Sequence, residues 1–392
     1  MDKRIYVLAL ASFAMGTEAY VYAGHLNALA RDLDVPVAAA GQIAAAFALT
    51  YAVCGPILAG LVSRFERRSL ITTGLFLIAL LNVLAALAQS LSMLMAVRIA
   101  CGVAAGLVGP ITSIAAAELA PVEQRGRAMA VVLSGMTLAF VLGIPAGSVV
   151  GEFTGWRGTF AFAAVMAAGT AVMIRLVLPT VRGGMQPRGR FRGNIPSSLG
   201  AYLILTLTGF ASTFTVVAYY GPVVTAITGI TGAGVGAMQA FVGVGSLIGI
   251  IIGGCAADRK SASTVLAASF FISAFTLAAY TAQMLNGPPS ADIAAVAILA
   301  ATTATGAAAL FARAPIVQTK IFEQAAPQAR PLIIALNGSM VFFGQGIGAA
   351  VGGATISASG LSMIGVAGAL IASIGGVLAA LISISEQRLR PA

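Results

Sequence analysis

The sequence predicts an all-α polytopic membrane protein with twelve transmembrane helices arranged as two six-helix bundles. Three observations predict it. Apolar runs of bilayer-crossing length follow one another with little between them, 59% of the 392 residues are hydrophobic and only 9% are charged, and one polar basic stretch interrupts the pattern near its middle. A hydrocarbon core ~30 Å thick takes about 20 residues of helix. A soluble chain of this size needs a far larger charged fraction to cover its surface. The mean hydropathy of +0.98 agrees.

The first run, 5–28, is too long for the apolar region of a secretory leader, and it carries Glu18 and His25 in place of a small-residue cleavage site. It is expected to stay as span 1. Spans 2 to 6 are read at 37–62, 70–90, 93–117, 128–151 and 158–179. The segment Pro179 to Ser198 contains Arg182, Gly183, Gly184, Pro187, Arg188, Gly189, Arg190, Arg192 and Gly193, which cannot bury an apolar face. It is expected to be a cytoplasmic linker, 181–198, between bundles at 1–180 and 199–392. Spans 7 to 12 follow at 199–226, 232–256, 263–285, 291–317, 331–357 and 361–384.

A net charge of +10 on a soluble chain would suggest nucleic acid. Here its placement says otherwise. With a cytoplasmic N-terminus, one side collects Lys3, Arg4, Arg64, Arg67, Arg68, Arg125, Arg127, the linker arginines, Arg259, Lys260, Lys320, Arg330, Arg388 and Arg390. The other side holds Arg31, with Arg98 and Arg157 near span ends. That asymmetry predicts a bacterial-type inner membrane protein with both termini cytoplasmic, and the basic groups face anionic lipid rather than nucleic acid. Cys54, Cys101 and Cys255 fall inside spans at spacings that suggest packing and no metal site.

The two halves echo each other. Gly60 to Arg68 closes span 2 much as Gly254 to Lys260 closes span 8, and Ala120-Pro121 before Arg125 parallels Ala326-Pro327 before Arg330. Repeated halves are the architecture of alternating-access carriers. Glycines recur every fourth residue at Gly143, Gly147 and Gly151, at Gly245, Gly249 and Gly253, and at Gly344, Gly348 and Gly352. Such strips let another backbone approach closely. They are either static packing seams or surfaces on which the halves slide.

These residues resemble the major facilitator superfamily, within it the twelve-span drug/proton antiporter branch and its sugar-efflux (arabinose efflux permease-like) group. The loop after span 2 is similar to the signature G-x-L-a-D-r-x-G-r-k, with Gly60 as first glycine and Arg67 and Arg68 in the basic cluster. Arg64 stands where an acid is usual, whereas the second-half loop keeps Asp258-Arg259-Lys260. The resemblance implies gating and latch roles for Gly60, Arg64, Arg67, Arg68, Asp258 and Arg259. Arg98-Ile-Ala-Cys-Gly102 resembles an element whose buried arginine is linked to proton coupling, and Gly143-Ile-Pro145-Ala-Gly147 resembles a shortened antiporter motif. The family's major facilitator fold implies that spans 1, 4, 7 and 10 line a central cavity.

Charge in mid-span costs roughly 2.5 kcal/mol or more and marks function by default. Glu18 is the clearest case, and Tyr22 and His25 follow at i+4 and i+7, on one face of an unbroken helix. Glu18, Arg98 and His25 are the proton-coupling candidates; the competing readings are a structural carboxylate, a snorkelling arginine and an interfacial histidine. Candidates for a solute cavity are Tyr22, Asn27, Gln42, Tyr51, Tyr219, Gln239, Arg313, Asn337 and Gln345, with Arg313 suited either to solute or to lipid heads. Glu118 is expected to make helix-end contacts. The reading is a secondary carrier, most simply a monomer, that exports a drug- or sugar-like solute against protons, with no cofactor beyond the proton gradient. A symporter or uniporter importing a metabolite is the alternative. An intramembrane enzyme is disfavoured: His25 is the only histidine, and there is no G-x-S-x-G or H-E-x-x-H.

Overall fold

Lipid offers backbone N–H and C=O groups no partners, so apolar runs of this length close their hydrogen bonds internally as helix. The computed structural model describes residues 2–62, 64–121, 124–180, 197–257, 259, 261–326 and 329–388, and all regular structure among them is helical. Span 1 is Lys3–Tyr20, continued through a 3-10 turn at Ala23–His25 into Leu26–Asp32. Val37–Ala40 leads into span 2, Gln42–Leu61; spans 3 and 4 are Arg67–Ala86 and Leu91–Leu119. Arg125–Leu138 runs through a π-turn, Ala139–Gly143, into Ile144–Val177. Span 7 is Ser197–Val217, followed by the short helix Tyr220–Thr228. Spans 8 to 12 are Ala233–Ala257, Ala262–Leu285, Ile293–Gln324, Arg330–Ser359 and Ile364–Arg388.

Among the described residues, eleven helical stretches are long and apolar enough to cross a membrane, but one of them, Arg125–Val177, has 53 residues. At 1.5 Å per residue it would extend ~80 Å, more than twice the hydrocarbon core. It breaks at Gly155, whose φ of 72° and ψ of 177° form a region open only to glycine. The stretch is therefore spans 5 and 6, and twelve crossings result. Ser90 caps span 4 by accepting from the Met93 N–H at 3.3 Å, and Asp292 caps span 10 by accepting from the Ala295 N–H at 2.6 Å. Leu80, Phe153, Leu176, Ile251, Phe275, Leu370 and Ile374 stand exposed and suit a lipid surround.

The chain divides into two units, 1–188 with 231–240, and 189–230 with 241–392. Most of the expected linker, 181–196, lies outside the described residues. Residues 231–240, expected in the second bundle, group with the first. A Cβ on Gly236 would stand 2.6 Å from Ser148 Cβ and 3.2 Å from the Pro145 carbonyl, so the start of span 8 packs on span 5.

Each glycine strip packs inside its own unit, which favours the packing seam among the two readings left open by spacing. In the first unit, Gly143, Gly147 and Gly151 meet Thr17, Val21 and His25 of span 1. In the second unit, Gly344, Gly348 and Gly352 meet the carbonyls of Leu207, Ala211 and Thr215 on span 7, and Gly245, Gly249 and Gly253 meet those of Ala304, Ala308 and Ala312 on span 10. The partners also step by four, so fourth-residue ridges of the two helices mesh. Spans 2 and 4 make the matching seam in the first unit through Gly102 against the Phe47 carbonyl and Gly106 against Gly55. Pairings 1 with 5 and 2 with 4 thus recur as 7 with 11 and 8 with 10.

Candidate functional site

Span 1 carries Glu18 in its last helical turn and span 4 carries Arg98 in its second turn. Gly102 brings span 4 against span 2, because a side chain there would collide with the Phe47 carbonyl. The Arg98 guanidinium is thereby directed at both neighbours. Its Nη1 donates to Glu18 Oε1 and its Nη2 donates to the Ala19 carbonyl at 3.0 Å. Its carbon lies 4.5 Å from the Phe47 ring centroid and 5.4 Å from that of Tyr22. Glu18 and Arg98 are both fully buried. The Cys101 thiol lies against the same carboxylate.

Ion pairing, aromatic faces and a backbone carbonyl compensate the burial of two charges, which a bare pair in hydrocarbon would not achieve. The cage is not saturated. Glu18 Oε2, Arg98 Nε and the Tyr22 hydroxyl are buried without a hydrogen-bond partner among the described residues. A carboxylate oxygen, a guanidinium N–H and a phenol therefore keep hydrogen-bonding capacity that no described residue uses. Arg98 does not snorkel, and Glu18 is not a carboxylate satisfied by neutral donors alone.

His25 leaves this group. The α-helix is interrupted at Val21 and Tyr22 before the 3-10 turn, yet Thr17, Val21 and His25 still meet span 5 at four-residue steps. Tyr22 stays in the cage, stacked on Phe160 at 5.6 Å. His25 packs instead against Gly151 and Thr159, with both ring nitrogens unpartnered among the described residues. Beyond it, Asp32 accepts from Trp156 Nε1 at 3.1 Å and from Arg157 Nη1, while Arg157 Nη2 donates to the Ala88 carbonyl at 3.0 Å. Gly155-Trp156-Arg157 thus ties the ends of spans 1, 3 and 6.

The antiporter-motif residues touch this site through packing. Gly143 ends the π-turn, and Pro145, which lacks an N–H, enters the next helix at its first turn, where no partner is needed. Gly143 and Gly147 press on Thr17 and Val21, the near neighbours of Glu18 on span 1.

The cavity candidates are dispersed. Asn27 and Gln42 are half-buried; Arg31 Nε donates to the Asn27 carbonyl, and Gln42 Nε2 donates to the Ala38 carbonyl. Tyr51 is buried with its hydroxyl beside Gly109. Gln239 accepts from Ser148 at 3.3 Å within the first unit. In the second unit, Tyr219 donates to the Ala349 carbonyl at 3.1 Å, Asn337 accepts from Thr206 at 2.7 Å, and Gln345 is buried. Arg313 is buried against span 9 rather than turned to lipid heads.

Of the latch candidates, Arg67 reaches Glu118 at 3.4 Å between spans 3 and 4, so Glu118 receives an arginine of the signature loop. Arg68 pairs with Glu66 at 3.2 Å and donates to the Leu178 carbonyl. Arg64 is exposed, without an ion pair among the described residues, and a Cβ on Gly60 would meet open space. Arg259 is exposed and Asp258 lies outside the described residues. Sequence reasoning missed Phe47, Cys101 and Asp32. The four-residue interval from Arg98 to Gly102 held the signal for Phe47, since it places a bare backbone one turn below the cation.

The family model described as Major Facilitator Superfamily matches residues 8–199. The inner membrane transport protein YdhP of Escherichia coli (strain K12) is 32% identical over 381 residues, covering 95% of this chain and 94% of that protein. A chloramphenicol resistance protein of Streptomyces lividans is 33% identical over 275 residues, covering 68% and 70%. Among solved structures, a bacterial homolog of the human lysosomal transporter Spinster, inward-facing and occupied, aligns with a TM-score of 0.80 at 15% identity over 99% of this chain and 98% of that one. The D-xylose-proton symporter aligns at 0.72 with 18% identity, over 97% and 96%. At these identities the structural matches establish the fold alone.

Proposed function

We propose, for a chain that belongs to the major facilitator superfamily and so is a multi-pass transporter rather than an enzyme, that it exports a small organic solute in exchange for protons. The observation that carries this reading is the sealed Glu18–Arg98 pair with its open carboxylate oxygen. A proton on Glu18 removes the charge that holds Arg98, and loss of the proton restores it. Solute and proton then compete for one carboxylate, and each turn of the carrier exchanges one for the other. The proton gradient supplies the energy, and no further cofactor is required.

The likeness to a chloramphenicol resistance protein favours export and a drug-sized solute carrying hydroxyl or amide groups. Such groups suit the open atoms of Glu18, Arg98 and Tyr22. A single copy suffices for the cycle, and the excess of basic residues in the even-numbered loops favours cytoplasmic termini in an inner membrane.

The test is solute-dependent proton release from the purified protein, screened against sugars, amino acids and chloramphenicol, then repeated in proteoliposomes. Glu18→Gln is expected to abolish proton release and to cut gradient-driven transport at least tenfold. Full gradient-driven transport by Glu18→Gln would overturn the coupling role of this residue.

A further inference from the structure

Residues 231–240, which open span 8, belong to the first unit and contain no ionisable side chain. Span 5 holds them with a ridge of Pro145, Ser148 and Glu152, residues three and four apart on one helix face. Gly236 seats against Ser148 and the Pro145 carbonyl, and Ser148 Oγ donates to Gln239 Oε1 at 3.3 Å. One turn further along span 5, Glu152 Oε2 accepts from the Ala233 N–H at 2.9 Å. That N–H belongs to the first residue of span 8, where the helix itself offers it no carbonyl.

Gly232 makes the seat. Its φ of 55° lies in the left-handed region, and a Cβ there would fall on Glu152 Oε2. The carboxylate occupies the place a side chain would take. The donor N–H and the positive end of the helix dipole both favour an ionised acceptor over a neutral one. The Ser148 contacts, by contrast, are neutral and indifferent to pH. Glu152 is exposed, so a proton reaches it from water without crossing the interior. His25 of span 1, packed on Gly151, is the titratable group in electrostatic reach of it. Arg157, the next ionisable residue after Glu152, is engaged by Asp32.

We propose that Glu152 is a proton-released clasp. Ionised, it holds the first turns of span 8 on span 5; protonated, it lets them part. The clasp acts on packing and not on solute, so it stands or falls apart from the exchange reading built on Glu18.

The experiment is amide hydrogen exchange of the purified protein in detergent, read by mass spectrometry on peptides covering 231–240 and 245–257. Glu152→Gln is the neutral mimic of the protonated clasp. At about pH 8 it is expected to raise exchange in 231–240 about fivefold over wild type and to leave 245–257 unchanged. The ratio of variant to wild type cancels the chemical pH dependence of exchange. It should shrink toward one as pH falls to about 4, through the range in which carboxylates titrate. If Glu152→Gln does not fold, wild type alone decides: referred to an unstructured peptide of the same sequence, 231–240 should lose protection over that range. Exchange in 231–240 that ignores Glu152→Gln, a ratio constant with pH, or an equal rise in 245–257 overturns the proposal. So does a pH dependence that disappears in His25→Asn, which would assign the titration to the imidazole.

Discussion

Gly249→Ala tests the packing of the second unit most sharply, because the structure provides its own control five residues away. A Cβ on Gly249 would stand 2.9 Å from both Ala308 Cα and Ala308 C, and closer still to the Ala308 oxygen. These are backbone atoms of span 10, so no rotamer change relieves the clash. Carbon atoms in comfortable contact lie ~3.5–4.0 Å apart, so spans 8 and 10 must part by roughly 1 Å or bend. Overpacking of this kind costs about 1–3 kcal/mol. Gly254, on the same helix, has nothing within 4 Å of its ideal Cβ. There alanine meets no neighbour and gains up to ~1 kcal/mol of helix propensity.

The propensity gain is common to both alanine variants, so they should separate by the overpacking cost alone, about 1–3 kcal/mol. Thermal unfolding midpoints of the purified variants, taken in one detergent at one scan rate, read the ranking even where unfolding is irreversible. Gly245→Ala and Gly253→Ala face the Ala304 and Ala312 carbonyls in the same way and should fall with Gly249→Ala. If Gly249→Ala unfolds with Gly254→Ala, the seam between spans 8 and 10 is not in close backbone contact, and the argument from fourth-residue glycines fails.

Removing either member of the Arg67–Glu118 pair should not have equal effect. Glu118→Gln strands a guanidinium whose side chain is 2% exposed, whereas Arg67→Met leaves a carboxylate that is 34% exposed and within reach of water. The unfolding midpoint is expected to drop further for Glu118→Gln, and the reverse order would refute the burial argument. Thiol labelling by a membrane-permeant maleimide should modify Cys255, which is exposed, well before Cys101, which is buried beside Glu18. Equal rates in a Cys54→Ser background would show that the cage around Glu18 is open.

The twelve crossings were legible because composition alone decides them: a run such as Leu91–Leu119 has no alternative to helix in lipid. The glycine strips were legible as places of close approach but not as to their partners. Spacing says that a helix comes near, and only the three-dimensional register says that it is span 1, 7 or 10 of the same unit. The loop after span 2 shows a related limit. Arg64 stands where an acid is usual, yet Arg68 finds Glu66 nearby and Arg67 finds Glu118 fifty-one residues on, a pairing no local motif encodes. For Glu18, Tyr22 and His25, spacing could not say what each member meets: Tyr22 stacks on Phe160 and stays beside Arg98, whereas His25 lies against Gly151 and Thr159.

Packing explains how a motif without chemical groups bears on the carboxylate. Gly143 and Gly147 carry no side chain to bind a proton or a solute, and Pro145 carries no donor. They touch Thr17 and Val21 on either side of Glu18, with the π-turn at Ala139–Gly143 directly alongside. Thr17 donates back to the Phe13 carbonyl at 2.9 Å, which fastens this part of span 1 to its own helix. A rotation of Glu18 away from Arg98 must therefore carry Thr17 and Val21 across Gly143 and Gly147. A Cβ at either glycine would collide with them, so the bare strip is what lets span 1 pack this closely on span 5. The π-turn gives span 5 a point at which to yield without unwinding. By this geometry the glycines of the motif set how closely span 5 packs on the residues flanking Glu18.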